Sequence, residues 1–511
     1  MKACLLAPGP DPAAMPALPG NARELIHDLA LGPALAAMAA GDEFLLTTAA
    51  DALLQSLPDP ETIDYRQQVL IDALENPAIV RQLYALTVEA IEGERKIYRG
   101  FFNKYPEAVL RRAIESLTFL IPLLRRLHAM AGTRTERFHS EGFTRFFAMI
   151  TEQLGPDYLE TVNAHLKDLK FRNGVLLSAG LGPGNQATGY TLRRSLSPRR
   201  GRILDFFTNL FASRGRSVLS FQIHDRDEGG YRALSDLRDR GVNLAANALA
   251  QADDHILDFF TLLRTELGFY VGCLNLYDTL TRTSAPICLP KPEPRNGPPV
   301  LSARGLYETV LALAGRGPVV GNDLCADGRS LVMITGANEG GKSTFLRAVG
   351  VAQLMMQAGM FVAAEYYSAS VCDGLHTHFK REEDAALRSG KLDEELARMN
   401  TIADQLRPGS MVLFNESFAA TNEREGSSIS RDIIAALTES GVLVLFVTHL
   451  YDLVSSLYDL ELPDVLFIQA ERCPSGQRTF KLTPGKPTRT SYGEDLYTRI
   501  FTGAGRNGAR G

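Results

Sequence analysis

A lysine and a hydroxyl residue set directly behind glycines form an arrangement suited to gripping phosphate. Gly336-Ala337-Asn338-Glu339-Gly340-Gly341-Lys342-Ser343 fits the pattern G-x-x-x-x-G-K-[ST], and Thr344 follows it. Gly336 and Gly341 let the backbone curl so that its N–H groups face phosphate oxygens. Lys342 would reach the outer phosphates, and the Ser343 hydroxyl would sit on Mg²⁺. An apolar, strand-like run at 331–334 precedes the loop and a helix-like stretch at 345–356 follows it, as this chemistry requires. The expected ligands are ATP and Mg²⁺.

Hydrolysis at such a loop also needs an acidic group at a neighbouring strand end. The run Met411-Val-Leu-Phe414 leads into Asn415-Glu416. Glu416 is the candidate general base for an attacking water. Asn415 stands where the metal-facing residue is usually Asp. Its amide oxygen can accept from a metal-bound water but brings no charge, which predicts weaker magnesium binding or slower turnover. A third strand-like run, 442–447, ends in Thr448-His449, and His449 is a candidate γ-phosphate contact. Between these lies Ser389-Gly390, opening a helix with apolar positions Leu392, Leu396, Met399, Ile402 and Leu406. Its N–H groups suit either an anion or a plain N-cap.

The elements that would position these groups divide the 511 residues into two textures. Up to about residue 283 the apolar residues recur at helical spacing, as in Val109, Leu110, Ala113, Ile114, Leu117, Leu120, Ile121 and Leu124, with a kink expected at Pro122. A long helical stretch is expected from Leu244 to Tyr277. The glycine-rich segment 174–189 lacks both Lys-Ser/Thr and GxGxxG spacing, so it reads as a β-turn or bulge. A proline-rich stretch at 286–299 marks a boundary, and beyond it short apolar runs alternate with helical ones, the pattern of a mainly parallel sheet with crossover helices.

Six scattered cysteines with no Cys-x-x-Cys pair argue against a zinc site or a disulfide framework and fit a reducing, cytoplasmic setting. No apolar run has membrane-spanning length. Residues 1–20 read as a disordered tail rather than a signal peptide. The net charge of −5 gives no global basic bias. Arg193, Arg194, Arg199, Arg200 and Arg202 form a local basic cluster that suits DNA phosphates or a solvated loop equally.

Five blocks in the C-terminal half resemble the ATPase domain of the MutS family, the DNA mismatch-repair ATPases related to ABC and SMC proteins. Thr335 to Thr344 is similar to the family's T-G-P-N-x-G-G-K-S-T loop and Gly359-Met-Phe-Val-Ala-Ala364 to its G-x-F-V-P-A strand. Glu416 to Gly426 keeps the spacing of the E-x-G-R-G-T-S-T-x-D-G stretch. Phe446-Val-Thr-His449 resembles F-A-T-H, and Ser491-Tyr-Gly493 resembles a signature near the domain end. Upstream, Ile63-Asp-Tyr-Arg66-Gln-Gln-Val69-Leu70 and Glu75-Asn76-Pro77 resemble the opening of the family's helical core domain.

Composition and the resemblance together imply a multidomain chain: a disordered tail (1–20), a mainly α-helical core and lever region (21–285), a proline-rich connector (286–304) and an α/β, ABC-like P-loop ATPase domain (305–511). The resemblance implies a homodimer in which the segment 389–395 of one subunit completes the nucleotide site of the other. It also implies binding of duplex, branched or mismatched DNA, contacts with other repair proteins, and ATP turnover that switches a dimeric clamp. No aromatic-x-Glu wedge stands near the N terminus, so mismatch recognition does not follow. The alternative expectation is a slow nucleotide switch that assembles protein partners.

Overall fold

The computed structural model describes residues 1–9, 18–97, 105–171, 174–185, 187–193, 227–315, 317–381, 390–472 and 478–487. Ser389, Arg194, Arg199, Arg200, Arg202 and the 491–493 signature lie outside the described residues. The chain forms two compact units. The first comprises residues 1–3, 82–136 and 145–264, the second residues 4–81, 137–144 and 265–511.

The N-terminal half is helical: α1 (Ala22–Asp28), α2 (Gly32–Ala39), α3 (Glu43–Leu54), α4 (Pro60–Glu75), α5 (Pro77–Arg95), α6 (Pro106–Arg134), α7 (Glu141–Gln153), α8 (Pro156–Leu169) and α9 (Glu228–Thr281). Local chemistry sets several starts. Asp42 caps α3 by accepting from the N–H groups of Phe44 and Leu45, and Asp59 caps α4 ahead of Pro60. Proline at a first helical position loses nothing, because that N–H has no partner inside the helix. Pro122 lies inside the unbroken α6. The expected stripe on α6 is buried in the first unit, where Leu110, Ile114, Leu117 and Ile121 pack with Leu166 of α8 and Val242 and Ala246 of α9. The glycine-rich segment is a hairpin, β1 (Leu176–Leu181) and β2 (Ala187–Arg193), with an irregular register between Ser178 and Gly180. The helical region is therefore interrupted by strands.

The second unit carries two sheets. One has the order β12-β11-β6-β10-β9-β8, formed by β6 (Leu331–Gly336), β8 (Leu375–Phe379), β9 (Met411–Asn415), β10 (Leu443–Val447), β11 (Val465–Arg472) and β12 (Arg478–Pro484). All its pairs are parallel except β11–β12. Runs such as Leu-Val-Leu-Phe-Val in β10 carry no polar alternation because both faces of a parallel sheet are covered. The other sheet has the order β3-β7-β4-β5, formed by β3 (Lys291–Glu293), β4 (Leu301–Leu306), β5 (Asn322–Cys325) and β7 (Tyr366–Ser370). The remaining helices are α10 (Thr309–Leu313), α11 (Lys342–Gln357), α12 (Lys391–Ala403), α13 (Glu423–Glu439) and α14 (Tyr451–Tyr458). Helix α11 is buried along nearly its whole length and packs against strands of both sheets.

Three expectations need correction. Residues 4–6 are not part of a disordered tail: Cys4, Leu5 and Leu6 are buried. Tyr65 donates to the Cys4 carbonyl, Tyr270 to that of Leu5 and Arg66 to that of Leu6, while Leu5 N–H donates to Glu266. Buried backbone groups need such partners, and these side chains supply them. The stretch 286–304 is not a free connector, because β3 and the start of β4 pair into the smaller sheet and Leu301 and Ala303 are buried. Residues 359–364 hold an isolated bridge between Val362 and Cys288 in place of a strand. Among the described residues no helix is long and apolar enough to cross a membrane.

Helix α1 lies against β8. Asp28, whose side chain is 1% exposed, accepts from Arg398 of α12 at 2.7 Å, and Arg347 of α11 donates to the Asp28 carbonyl at 3.0 Å. Removing one partner of a buried pair leaves the other charge uncompensated. Asp28→Ala is expected to destabilise the second unit by about 3 kcal/mol, a Tm fall of about 6 °C. An unchanged thermal transition would show that this contact does not hold α1 in place.

Candidate functional site

Strand register gathers the candidate residues. In the parallel sheet Val447 of β10 is level with Ile334 of β6 on one side and with Asn415 of β9 on the other. The carboxyl ends of three adjacent strands therefore open at one edge, where open α/β sheets bind ligands. The loop 337–341 leaves β6, Glu416 follows β9, and Thr448 and His449 follow β10.

The loop geometry explains its glycines. Gly336 has φ +108°, and a Cβ there would lie 2.8 Å from the Ala470 nitrogen on β11. Gly341 has φ +91° and sits at the N-cap of α11, with no side chain capping that helix start. Glu339 also takes a left-handed conformation, at φ +56°. Gly340 has no room for a Cβ either, since one would meet Ala470 and the Ala337 carbonyl below 3.0 Å. Asn338 is half-buried and Ala337 fully buried. The uncapped first turn of α11, through Lys342, Ser343 and Thr344, presents backbone N–H groups and the positive end of the helix.

Lys342 folds back onto its own loop, donating to the carbonyls of Gly336 at 3.0 Å and Ala337 at 2.9 Å. Burial lowers its pKa to about 8, against a smaller opposing pull from Glu416. The Ser343 hydroxyl donates to Oδ1 of Asn415 at 2.8 Å. The two residues assigned to a metal from sequence thus meet side by side, one from α11 and one from β9. Among the described residues no group of three or more His, Cys, Asp or Glu is placed to hold a metal ion. A Ser–Asn oxygen pair suits Mg²⁺ that draws its other ligands from phosphate and water.

Glu416 begins a tight turn. Its φ is +55°, that of Phe418 is +59°, and its N–H donates to the Val447 carbonyl. Its carboxylate accepts from His449 Nε2 at 3.0 Å. That hydrogen bond, despite partial burial, holds the Glu416 carboxyl below the usual range. The group is ionised at neutral pH and aimed by the imidazole, the state needed to orient a water. Thr448 Oγ1 accepts from Leu450 N–H and so closes the turn behind His449.

Ser389 lies outside the described residues, and Gly390 is placed away from the strand that carries the loop. Gly390 is the exposed N-cap of α12, which packs on β8, three strands from β6 in the sheet. Arg193 closes β2 in the first unit and donates to Ser178. Sequence reasoning missed His378, a fully buried residue in the middle of this site's framework. Its Nδ1 lies 2.7 Å from Ser417 Oγ and its Nε2 3.0 Å from the Glu395 carbonyl. The signal was a polar residue inside a strand that is buried at every position, Leu-His-Thr-His-Phe.

Two domain families match successive parts of the chain. The MutS2 N-terminal domain family matches residues 58–283, and MutS domain V matches residues 332–495. The DNA mismatch repair protein MutS of Thermus aquaticus is 33% identical over 36% of this chain and 23% of its own length. That of Clostridium botulinum strain Eklund 17B is 31% identical over 42% of this chain and 23% of its own. Mouse MutS protein homolog 4 is 28% identical over 37% of this chain and 21% of its own. The matched part is thus less than a quarter of each of these relatives. The helical half is thus similar to one MutS-type domain and the half bearing the phosphate loop to another.

Proposed function

We propose that this chain is an ATP-dependent DNA-binding protein of the mismatch-repair type, which uses ATP binding and hydrolysis at 336–344 to switch a dimeric clamp. The observation that carries the reading is the meeting of the uncapped α11 start, the Ser343–Asn415 pair and the Glu416–His449 pair at one sheet edge. In this reading the N–H groups of residues 340–344 and the Lys342 ammonium hold the phosphates. Lys342 leaves its two loop carbonyls to do so. Ser343 and Asn415 would hold Mg²⁺, which would neutralise charge on the outer phosphates. Glu416, oriented by His449, accepts a hydrogen bond from the attacking water. The segment that includes Ser389 and Gly390 faces a partner's nucleotide. Other repair proteins and a cytoplasmic location complete the proposal.

Asn415 favours a second reading. Without a carboxylate beside Ser343, turnover is slow and the nucleotide serves chiefly as a conformational ligand that assembles protein partners. DNA separates the two. The first reading predicts binding to duplex, branched or mismatched DNA whose log affinity falls linearly with log salt concentration. An absence of binding at low salt, with and without ATP, would leave only the second.

The Lys342 ammonium gives a pH test. Phosphate beside it favours the charged form and raises its pKa above the free value of about 8. Affinity for ATP is therefore level below that pH and falls above it, by up to about tenfold per pH unit. Lys342→Arg stays charged and flattens the profile, whereas Lys342→Ala weakens binding about tenfold to a hundredfold at pH 7. The same steep profile in Lys342→Arg would remove Lys342 from the phosphate site.

Turnover tests the strand-end pair. Glu416→Gln is expected to lower kcat by about a hundredfold or more while sparing ATP affinity. Asn415→Asp is expected to lower the magnesium concentration needed for half-maximal turnover. Wild-type kcat in Glu416→Gln would show that another group orients the water.

A further inference from the structure

Helix α12 is tied to the turn that carries Glu416, and nothing in the proposed chemistry requires that. The tie runs through His378 on β8. Its Nε2 can only donate to the Glu395 carbonyl, 3.0 Å away, because a carbonyl oxygen only accepts. In the neutral ring Nδ1 is then the acceptor and faces Ser417 Oγ at 2.7 Å. The same hydroxyl lies 2.6 Å from the His378 carbonyl, so its single hydrogen goes to one of these two acceptors at a time. Burial first, and the charge of Arg398 second, lower the His378 pKa to about 4 and keep the ring neutral. The ring also stacks on Phe418 at 5.1 Å between centroids.

The Phe418 N–H faces the Glu395 carboxylate and pulls its pKa down, against the larger rise from burial. Among the described residues the buried Glu395 Oε2 has no hydrogen-bond partner. Ser417 thus sits between two left-handed non-glycine residues, Glu416 and Phe418, and its hydroxyl is held by His378 of β8. A left-handed conformation is strained for a non-glycine residue, so this turn keeps its shape only if surrounding contacts hold it. Those contacts come from α12 by way of Glu395 and from β8 by way of His378.

We propose that His378 and Glu395 form a latch of positioning residues that holds the 416–418 turn, and with it the Glu416 carboxylate, in register with α12. The latch neither touches nucleotide nor moves a proton. It couples the helix that begins at Gly390 to the orientation of the water-aiming carboxylate in the same chain. This rests on the reading of Glu416 given above.

The test uses the full chain and two readouts. The first is hydrogen exchange, followed by mass spectrometry, over peptides spanning 411–422 and 331–345. His378→Ala and Glu395→Ala are each expected to speed exchange of the 416–418 amides about tenfold or more, leaving the 331–345 peptide unchanged. The second is steady-state ATP turnover. The same variants are expected to lower kcat about tenfold, with KM within about twofold of wild type. His378→Gln keeps a donor toward the Glu395 carbonyl and is expected to recover part of both losses. If His378→Ala gives no cooperative unfolding transition, Ser417→Ala removes the same link with a smaller change in volume. Wild-type exchange at 416–418 in these variants would overturn the latch, as would faster exchange with an unchanged kcat in a wild-type protein that hydrolyses ATP. If the wild-type chain turns over no ATP, the ATPase reading fails, while the exchange readout still decides whether the latch holds the turn.

Discussion

The structure depends on the parallel register of β6, β10 and β9. Val447 faces Ile334 on one side and Asn415 on the other. A slip of one residue in either pairing would send every side chain of that strand to the opposite face. Full burial of these strands makes such a slip costly. Val444, Phe446, Val412 and Phe414 join one apolar cluster with Leu331 and Met333, and Phe414 and Phe446 stack at 4.9 Å between centroids. Apolar packing therefore fixes, through register alone, the height at which Ser343, Asn415, Glu416 and His449 meet.

Strain and support then alternate around the site. Gly336 and Gly341 take their positive φ angles without penalty, whereas Glu339, Glu416 and Phe418 do so as side-chain-bearing residues. The supports are specific: the Val447 carbonyl for Glu416 N–H, His449 for its carboxylate, and His378 and Glu395 for the two residues that follow. Helix α1 adds a support outside both matched domains, since Asp28 reaches α12 through Arg398 and α11 through Arg347. Within the second unit the helix that follows the phosphate loop and the helix that begins at Gly390 are thus tied to one N-terminal residue.

Much of the site's layout was legible in the sequence because its signals are local. The glycine–lysine–serine spacing, the polar residues that end the apolar runs 411–414 and 442–447, and the helical stripe on α6 each lie within a few residues of one another. What was hidden depends on distant partners. Residues 4–6 are buried because Tyr65, Arg66, Glu266 and Tyr270 meet their backbone groups, and no pattern within a proline-broken terminus signals that. The prolines at 286–299 marked a boundary, yet β3 tolerates Pro292 and joins a sheet whose other strands lie up to 79 residues away. His378 reads as an ordinary strand residue until Glu395 and Ser417, 17 and 39 residues on, close around it.

The most direct measurement of the central claim is calorimetric titration of ATP with magnesium into the wild-type chain. The edge formed by residues 336–344, 415–416 and 448–449 predicts one nucleotide bound per chain. Absence of heat and of nucleotide retention at millimolar ATP would contradict the assignment of this edge as a nucleotide site.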